Sequence, residues 1–203
     1  MRIPKDIQYV VGIDEAGRGP LAGPVSVGAV CFSVRDIRRF KKFSFGVKDS
    51  KKLTAEKREA WFLKMEKEMI AEKFSFAVAF SSSEIIDTRG LSFAIRNALA
   101  EALMKLACPP ESTLVLLDGS LHAPKEYLFQ KTIIHGDDIE PIISLASIGA
   151  KVLRDRKMTA LSQQYPEYGF EWHKGYGTKK HYEMIEKHGI LEGVHRKSFL
   201  GGN

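Results

Sequence analysis

Four acidic residues, Asp14, Glu15, Asp118 and Asp137, share one setting: each stands at the end of a run with strand character. Val10-Val11-Gly12-Ile13 leads into Asp14-Glu15, Leu114-Val115-Leu116-Leu117 into Asp118, and Thr132-Ile133-Ile134-His135-Gly136 into Asp137. Ligands of open α/β sheets gather beyond strand ends. Carboxylates converging there repel one another unless a cation stands between them. An all-oxygen donor set suits hard ions such as Mg²⁺ or Mn²⁺ rather than zinc. Two such ions about 4 Å apart stabilise the attacking and leaving oxygens of an in-line phosphoryl displacement. Taken singly, each acid is more simply a solvated turn residue, since Asp commonly precedes Gly, as in Asp118-Gly119. The joint pattern is what points to a two-metal phosphodiesterase. It sets one geometric condition: neighbours on a regular strand face opposite ways, so Asp14 and Glu15 share a site only if the strand ends or twists there.

Directly behind them, Gly17-Arg18-Gly19-Pro20-Leu21-Ala22-Gly23-Pro24 forms a stiffened Gly/Pro loop. Its glycines expose backbone N–H and C=O groups to a sugar or phosphate, and Arg18 offers a fork for phosphate. The loop lacks the Lys-Ser/Thr of a P-loop and the spacing of a dinucleotide fingerprint. Asp155 lies inside a predicted helix and reads as an Arg–Asp surface or supporting pair rather than as a fifth catalytic carboxylate. The six histidines show no zinc-ligand spacing with cysteine and read as structural.

Positioning these groups requires a sheet. Apolar runs predict strands over Gln8–Ile13, Pro24–Phe32, Phe74–Phe80, Thr113–Leu117 and Lys131–Ile134. Thr54 before Ala55-Glu56-Lys57 is a helix N-cap, with the helix running to about Ala71. Helical spacing marks Leu91–Leu106 and Pro141–Leu161, the latter with Pro in its first turn. Strands in succession, then strands alternating with helices, predict a three-layer α/β domain with a mixed sheet. The segment from Tyr165, rich in Gly, aromatic and basic residues, reads as an appended, partly helical surface.

The 203 residues suffice for one domain spanning 1–203. Cys31 and Cys108, far apart in the chain, read as buried reduced thiols. No window reaches the ~18 apolar residues of a membrane span, and the first residues do not form a signal peptide, so the expectation is a cytoplasmic protein. A net charge of +6 suits a polyanionic partner.

Asp14-Glu15-Ala16-Gly17-Arg18-Gly19-Pro20-Leu21-Ala22-Gly23-Pro24 resembles the signature of ribonuclease HII. The resemblance continues in order through Asp49-Ser50-Lys51-Lys52-Leu53, Leu117-Asp118-Gly119, Gly136-Asp137 and Ala146-Ser147-Ile148-Gly149-Ala150-Lys151-Val152. It ends with His173-Lys174-Gly175-Tyr176-Gly177-Thr178 and His195-Arg196-Lys197-Ser198-Phe199. It implies a ribonuclease H-like fold with a five-stranded mixed sheet and a C-terminal helical extension from about 165. It implies that Asp14, Glu15, Asp118 and Asp137 hold two ions, Mg²⁺ or Mn²⁺. Gly17, Arg18 and Gly19 would grip a ribonucleotide through its 2′-OH, largely by backbone groups. Tyr176 would stack on the sugar of the following deoxynucleotide. Ser50, Lys51 and Lys174 would join the substrate contacts, with Lys52, Lys179 and Lys180 as positioning contacts to phosphates.

The implied activity is endonucleolytic cleavage 5′ to ribonucleotides in RNA–DNA hybrids or embedded singly in duplex DNA, leaving 3′-hydroxyl and 5′-phosphate ends, by a monomer. Two positions depart from the pattern: His135 where Lys is usual, and Gly149 where a larger aliphatic residue is common. Ribonuclease HIII, the sister type, carries Glu at the fourth acidic position and an extra N-terminal domain; Asp137 and a first strand near residue 8 fit type HII better. A hybrid-binding protein without activity gains nothing from four clustered acids near phosphates. A junction resolvase of the same fold has no use for the Gly-Arg-Gly loop and Tyr176.

Overall fold

The computed structural model describes residues 3–47, 53–71 and 74–201. Five strands, β1 (Tyr9–Ala16), β2 (Val25–Ser33), β3 (Ser75–Ser81), β4 (Thr113–Asp118) and β5 (Phe129–Ile133), form one mixed sheet in the order β3-β2-β1-β4-β5. β1, β2 and β3 are antiparallel neighbours, while β4 runs parallel to β1 and β5 parallel to β4. The helices are α1 (Ile37–Phe43), α2 (Ala55–Ile70), α3 (Ser83–Arg89), α4 (Leu91–Leu106), α5 (Gly136–Ile139), α6 (Pro141–Gln164), α7 (Phe170–His173) and α8 (Lys179–His188).

Alternation along the strands sorts the core into two layers. Val11, Ile13, Val27, Ala29, Val115 and Leu117 face α4. Val10, Val30, Phe32, Leu114 and Leu116 face α2 and α6. Strands apolar on both faces are the expected product of a sheet covered on both sides. α6 lies unusually close to the sheet because β1 and β2 present glycines to it. A Cβ on Gly12 would fall 2.6 Å from the Ile142 carbonyl carbon, and one on Gly28 only 2.1 Å from the Ala146 oxygen.

The expected elements are present, with β1 extended to Ala16 and α6 to Gln164. Thr54 caps α2 by accepting from the Lys57 N–H. The short helices α1 and α3 were outside the sequence reading, being too brief to show a period. Cys31 and Cys108 are free and buried, as expected, but adjacent, with Sγ atoms 2.9 Å apart. The segment from 165 is more than an appended surface. It has its own core of Tyr168, Phe170 and Val194 with Ala22 and Met158. Its backbone is also stitched to the Gly/Pro loop, the Gly175 carbonyl accepting from Leu21 and Ala22 and the Val194 carbonyl from Gly23.

Candidate active site

The parallel register brings the first two aspartates together. Ile13 is the partner of Leu117, so Asp14 and Asp118 follow side by side at the carboxyl ends of β1 and β4. Both share strand parity with residues that face α6 (Gly12, Leu116), and their side chains fall on that face. Asp137 is fully buried in α5, which joins the end of β5 to the start of α6. Asp118 Oδ1 accepts from the Gly136 N–H at 2.6 Å, linking the second acid to the turn that holds the third. A Cβ on Gly136 would meet Ile143 Cδ1 at 2.7 Å, so that side-chain tip would have to move aside.

Asp14 is 2 % exposed. Burial pushes its carboxyl well above the ordinary carboxylate range; Glu15 and Asp118 add repulsion, against hydrogen bonds from the Ser147 side chain and the Glu15 N–H. Glu15 turns elsewhere. Its Oε1 takes the Arg18 Nε–H at 2.5 Å, while its Oε2 is buried with no hydrogen-bond partner. The strand does not end at Glu15, since β1 stays paired with β2 through Ala16; its contact with β4 ends at Ile13. Release from β4 is what opens the strand end around the acids.

As placed, no three acidic, histidine or cysteine side chains among the described residues are arranged to hold a metal ion. Glu15 is engaged by Arg18, and Asp118 by Gly136. The donor chemistry nonetheless suits a hard cation: only carboxylate oxygens, one of them buried without a partner, and an aspartate destabilised by two like charges.

Beside the acids lies a cleft of about 550 Å³, lined by Glu15 to Gly19, Arg58, Ser147, Lys151 and Tyr176. It unites the expected Gly17, Arg18, Gly19 and Tyr176. Tyr176 is 42 % exposed; Lys151 Nζ stands 5.5 Å and Arg154 Cζ 5.9 Å from the centre of its ring. Lys174 is half-buried and its ammonium is spent internally, on Thr159 Oγ1 and the Glu171 carbonyl, each at 2.8 Å. Lys179 and Lys180 are exposed on α8. Ser50, Lys51 and Lys52 lie outside the described residues.

One expectation changes. Asp155 pairs not with an arginine but with Lys151 at 2.8 Å, one turn earlier on α6. Arg154 is instead fully buried, giving its guanidinium to the carbonyls of Pro24, Ala22 and Lys174. Arg196 is equally buried and donates to Gly17, Arg18 and Gly23. Sequence reasoning assigned neither a role. A signal was present for Arg154: Ala150, Arg154 and Met158 are spaced four apart on the buried stripe of α6. Arg196 gives no such sign, because its burial depends on where the tail docks.

His173, His181 and His195 cluster around Phe170, and their hydrogen bonds dictate neutral rings. His195 Nδ1 accepts from the Leu191 N–H, its Nε2–H meets His181 Nε2 at 3.1 Å, and His181 Nδ1–H donates to the Tyr176 carbonyl. His173 Nδ1 accepts from the Gly175 N–H, and its Nε2–H donates to the Tyr168 carbonyl. They are structural, and they hold the backbone of Tyr176.

A mixed five-stranded sheet with aspartates paired at the ends of its two central parallel strands defines a nuclease of the ribonuclease H-like class. The chain matches the sequence model of the ribonuclease HII family over residues 11–201. It is 45 % identical over 196 residues to a ribonuclease HII of Bacillus anthracis, covering 96 % of this chain and 70 % of that one. It is likewise 45 % identical over 193 residues to a ribonuclease HII of Caldicellulosiruptor bescii, covering 95 % and 87 %. The crystal structure of ribonuclease H2 from Pyrococcus horikoshii superposes with a TM-score of 0.70 at 28 % identity, over 94 % of this chain and 93 % of that one. The chain belongs to the ribonuclease HII family and is an endoribonuclease of the H class.

Proposed function

We propose that this endoribonuclease hydrolyses the phosphodiester 5′ to ribonucleotides, both in RNA–DNA hybrids and where one ribonucleotide is embedded in duplex DNA, leaving 3′-hydroxyl and 5′-phosphate ends. The observation that carries the reading is the adjacency of the aspartate-bearing strand ends to a cleft shared by Gly17, Arg18, Gly19 and Tyr176. One wall offers close backbone approach to a 2′-hydroxyl, the atom that separates RNA from DNA. In the same cleft, beside Gly19, Tyr176 offers a flat face to a sugar lacking that hydroxyl. Phosphates would be steadied by Lys151 and Arg58 in the cleft, by the exposed Lys179 and Lys180 of α8, and by Ser50, Lys51 and Lys52.

Asp14, Glu15, Asp118 and Asp137 would hold Mg²⁺ or Mn²⁺, Glu15 leaving Arg18 to do so. Bound there, a pair of such ions supplies Lewis-acid stabilisation of the attacking and leaving oxygens. The protein's own contribution is positional: β1 and β4 set two carboxylates at one level, α5 adds the third, and Arg18, released from Glu15, is free to meet phosphate. We place the enzyme in the cytoplasm as a monomer, with residues 1–203 acting as one catalytic domain. No described helix is long and apolar enough to cross a membrane.

The decisive experiment incubates the protein with Mg²⁺ or Mn²⁺ and a DNA duplex carrying one ribonucleotide, beside an all-DNA control. We expect a nick 5′ to the ribonucleotide and an intact control. Equal cleavage of both, or of neither, removes the proposal.

A further inference from the structure

Arg154 and Arg196 are buried guanidiniums without an ion-pair partner among the described residues. Burying such charges is costly unless their donors are well used, and here every described bond goes to a neutral backbone carbonyl. Those carbonyls belong almost entirely to the loop behind the catalytic strand. Arg196 Nε donates to Gly23 at 2.9 Å, one terminal nitrogen to Arg18 at 3.0 Å and the other to Gly17 at 2.8 Å. Arg154 donates to Pro24 at 2.9 Å and Ala22 at 3.1 Å, and its third bond, at 3.0 Å, reaches Lys174, two residues before Tyr176. The remaining carbonyls at the ends of this stretch are also held: Ala16 by Ser26 Oγ, and Leu21 by the Arg196 N–H.

The N–H groups are treated differently. Among the described hydrogen bonds, none uses the N–H of Gly17, Arg18 or Gly19. All three residues line the cleft. With its carbonyls drawn inward, this wall of the cleft presents donors and few acceptors. A surface of that kind selects ligand atoms that accept hydrogen bonds, such as a ribose 2′-oxygen or a phosphate oxygen, and a deoxyribose offers no such atom at C2′. Gly17 fits the same scheme: its φ is +92°, and a Cβ there would fall 2.2 Å from Arg154 Nε, so the loop rests directly on the guanidinium.

We propose that Arg196, with Arg154 beside it, is a positioning residue that makes the Gly17–Gly19 backbone a donor surface and thereby sets the preference for a ribonucleotide. The inference rests on the function proposed above. Arg196 touches no substrate; it acts through the loop. A lysine cannot replace it, because a single ammonium does not span three carbonyls arranged around a planar fork.

The test measures equilibrium binding in a chelator, where nothing is cut, to two duplexes identical except for one ribonucleotide. In Arg196→Lys the preference for the ribonucleotide duplex should fall about tenfold, the worth of one well-placed hydrogen bond, while all-DNA binding stays as in the parent. In Arg196→Ala, added methylguanidinium should restore part of the preference and methylammonium should not. A folded Arg196→Lys with unchanged preference overturns the proposal, and so does equal weakening on both duplexes. Should neither variant fold, amide hydrogen exchange of the parent decides: the ribonucleotide duplex should protect Arg18 and Gly19 more than the all-DNA duplex, and equal protection overturns the idea. A parent that binds both duplexes equally brings down the functional reading itself, whereas a discriminating parent with an indifferent variant brings down only the clamp.

Discussion

An acidic side chain as enclosed as Asp14 is at ease in its charged form only when something positive stands beside it. The neighbouring Glu15 and Asp118 are negative, so the residue is poorly placed for stability and well placed for gathering cations. Asp14→Asn should therefore cut turnover at least about 100-fold while leaving affinity for the ribonucleotide duplex within a few-fold. In a chelator the same variant should melt no lower than the parent, since a repulsion has gone. Asp137→Asn should lose turnover likewise; near-normal rates would return Asp155 to candidacy. Tyr176 makes its bid through ring and backbone separately: the ring faces the cleft, and the carbonyl is fixed by His181. Tyr176→Ala should slow cleavage at a single ribonucleotide by roughly tenfold, as loss of a stacking contact does. Cleavage of a long RNA–DNA hybrid should suffer less, and equal losses in the two assays would show that the ring does not sense the junction.

Among the elements, α6 bears the closest tolerances. Gly12 and Gly28 let it settle on β1 and β2, which sets Ser147 against Asp14. Gly149, on the same helix, has no such excuse: a Cβ there would meet Val78 and Met65 at 3.6 and 3.8 Å, ordinary contact distances. Gly149→Ala should stabilise the protein by up to about 1 kcal/mol and raise the melting temperature by roughly 2–4 °C, with turnover unchanged. A fall in melting temperature would show that the neighbours cannot yield. The tail element titrates. Burial, with His181 alongside, lowers His195 to about 4, below the ordinary 6.5 of an unfolded chain, and burial lowers His181 and His173 in the same direction. Between those two values the unfolded state binds more protons, so stability rises with pH. It is fully present above about 6.5 and lost as pH falls toward 4, on the order of 3 kcal/mol for His195. Urea midpoints at pH 7.5 and pH 5 should reveal the loss, and His195→Gln should flatten it.

For the molecule as a whole, a net charge of +6 favours association with a polyanion, and Arg18, Arg58 and Lys151 line the same cleft as Glu15. Much of this is legible without coordinates. Leu91–Leu106 can be read to the residue from helical spacing, and the strands from apolar runs of the right length, because burial on one or two faces imposes its period directly on the chain. The acids are legible for a related reason, since a carboxylate closing an apolar run breaks its pattern, although Asp14 and Asp137 are buried in the fold and β1 runs on to Ala16. Asp118 lies more than a hundred residues from Asp14, and no local rule reports their adjacency; it follows from parallel pairing of β1 with β4, a long-range choice. Arg154 and Arg196 belong to the same kind of knowledge. Nothing in Arg196 and its neighbours says that a guanidinium should be sealed from water, because its partners are carbonyls at Gly17, Arg18 and Gly23, brought to it only when the tail docks. Side-chain chemistry and its period are written locally, so the kind of reaction can be read from order alone. Which atoms face each other across the cleft is a property of packing, and packing is decided by every element at once.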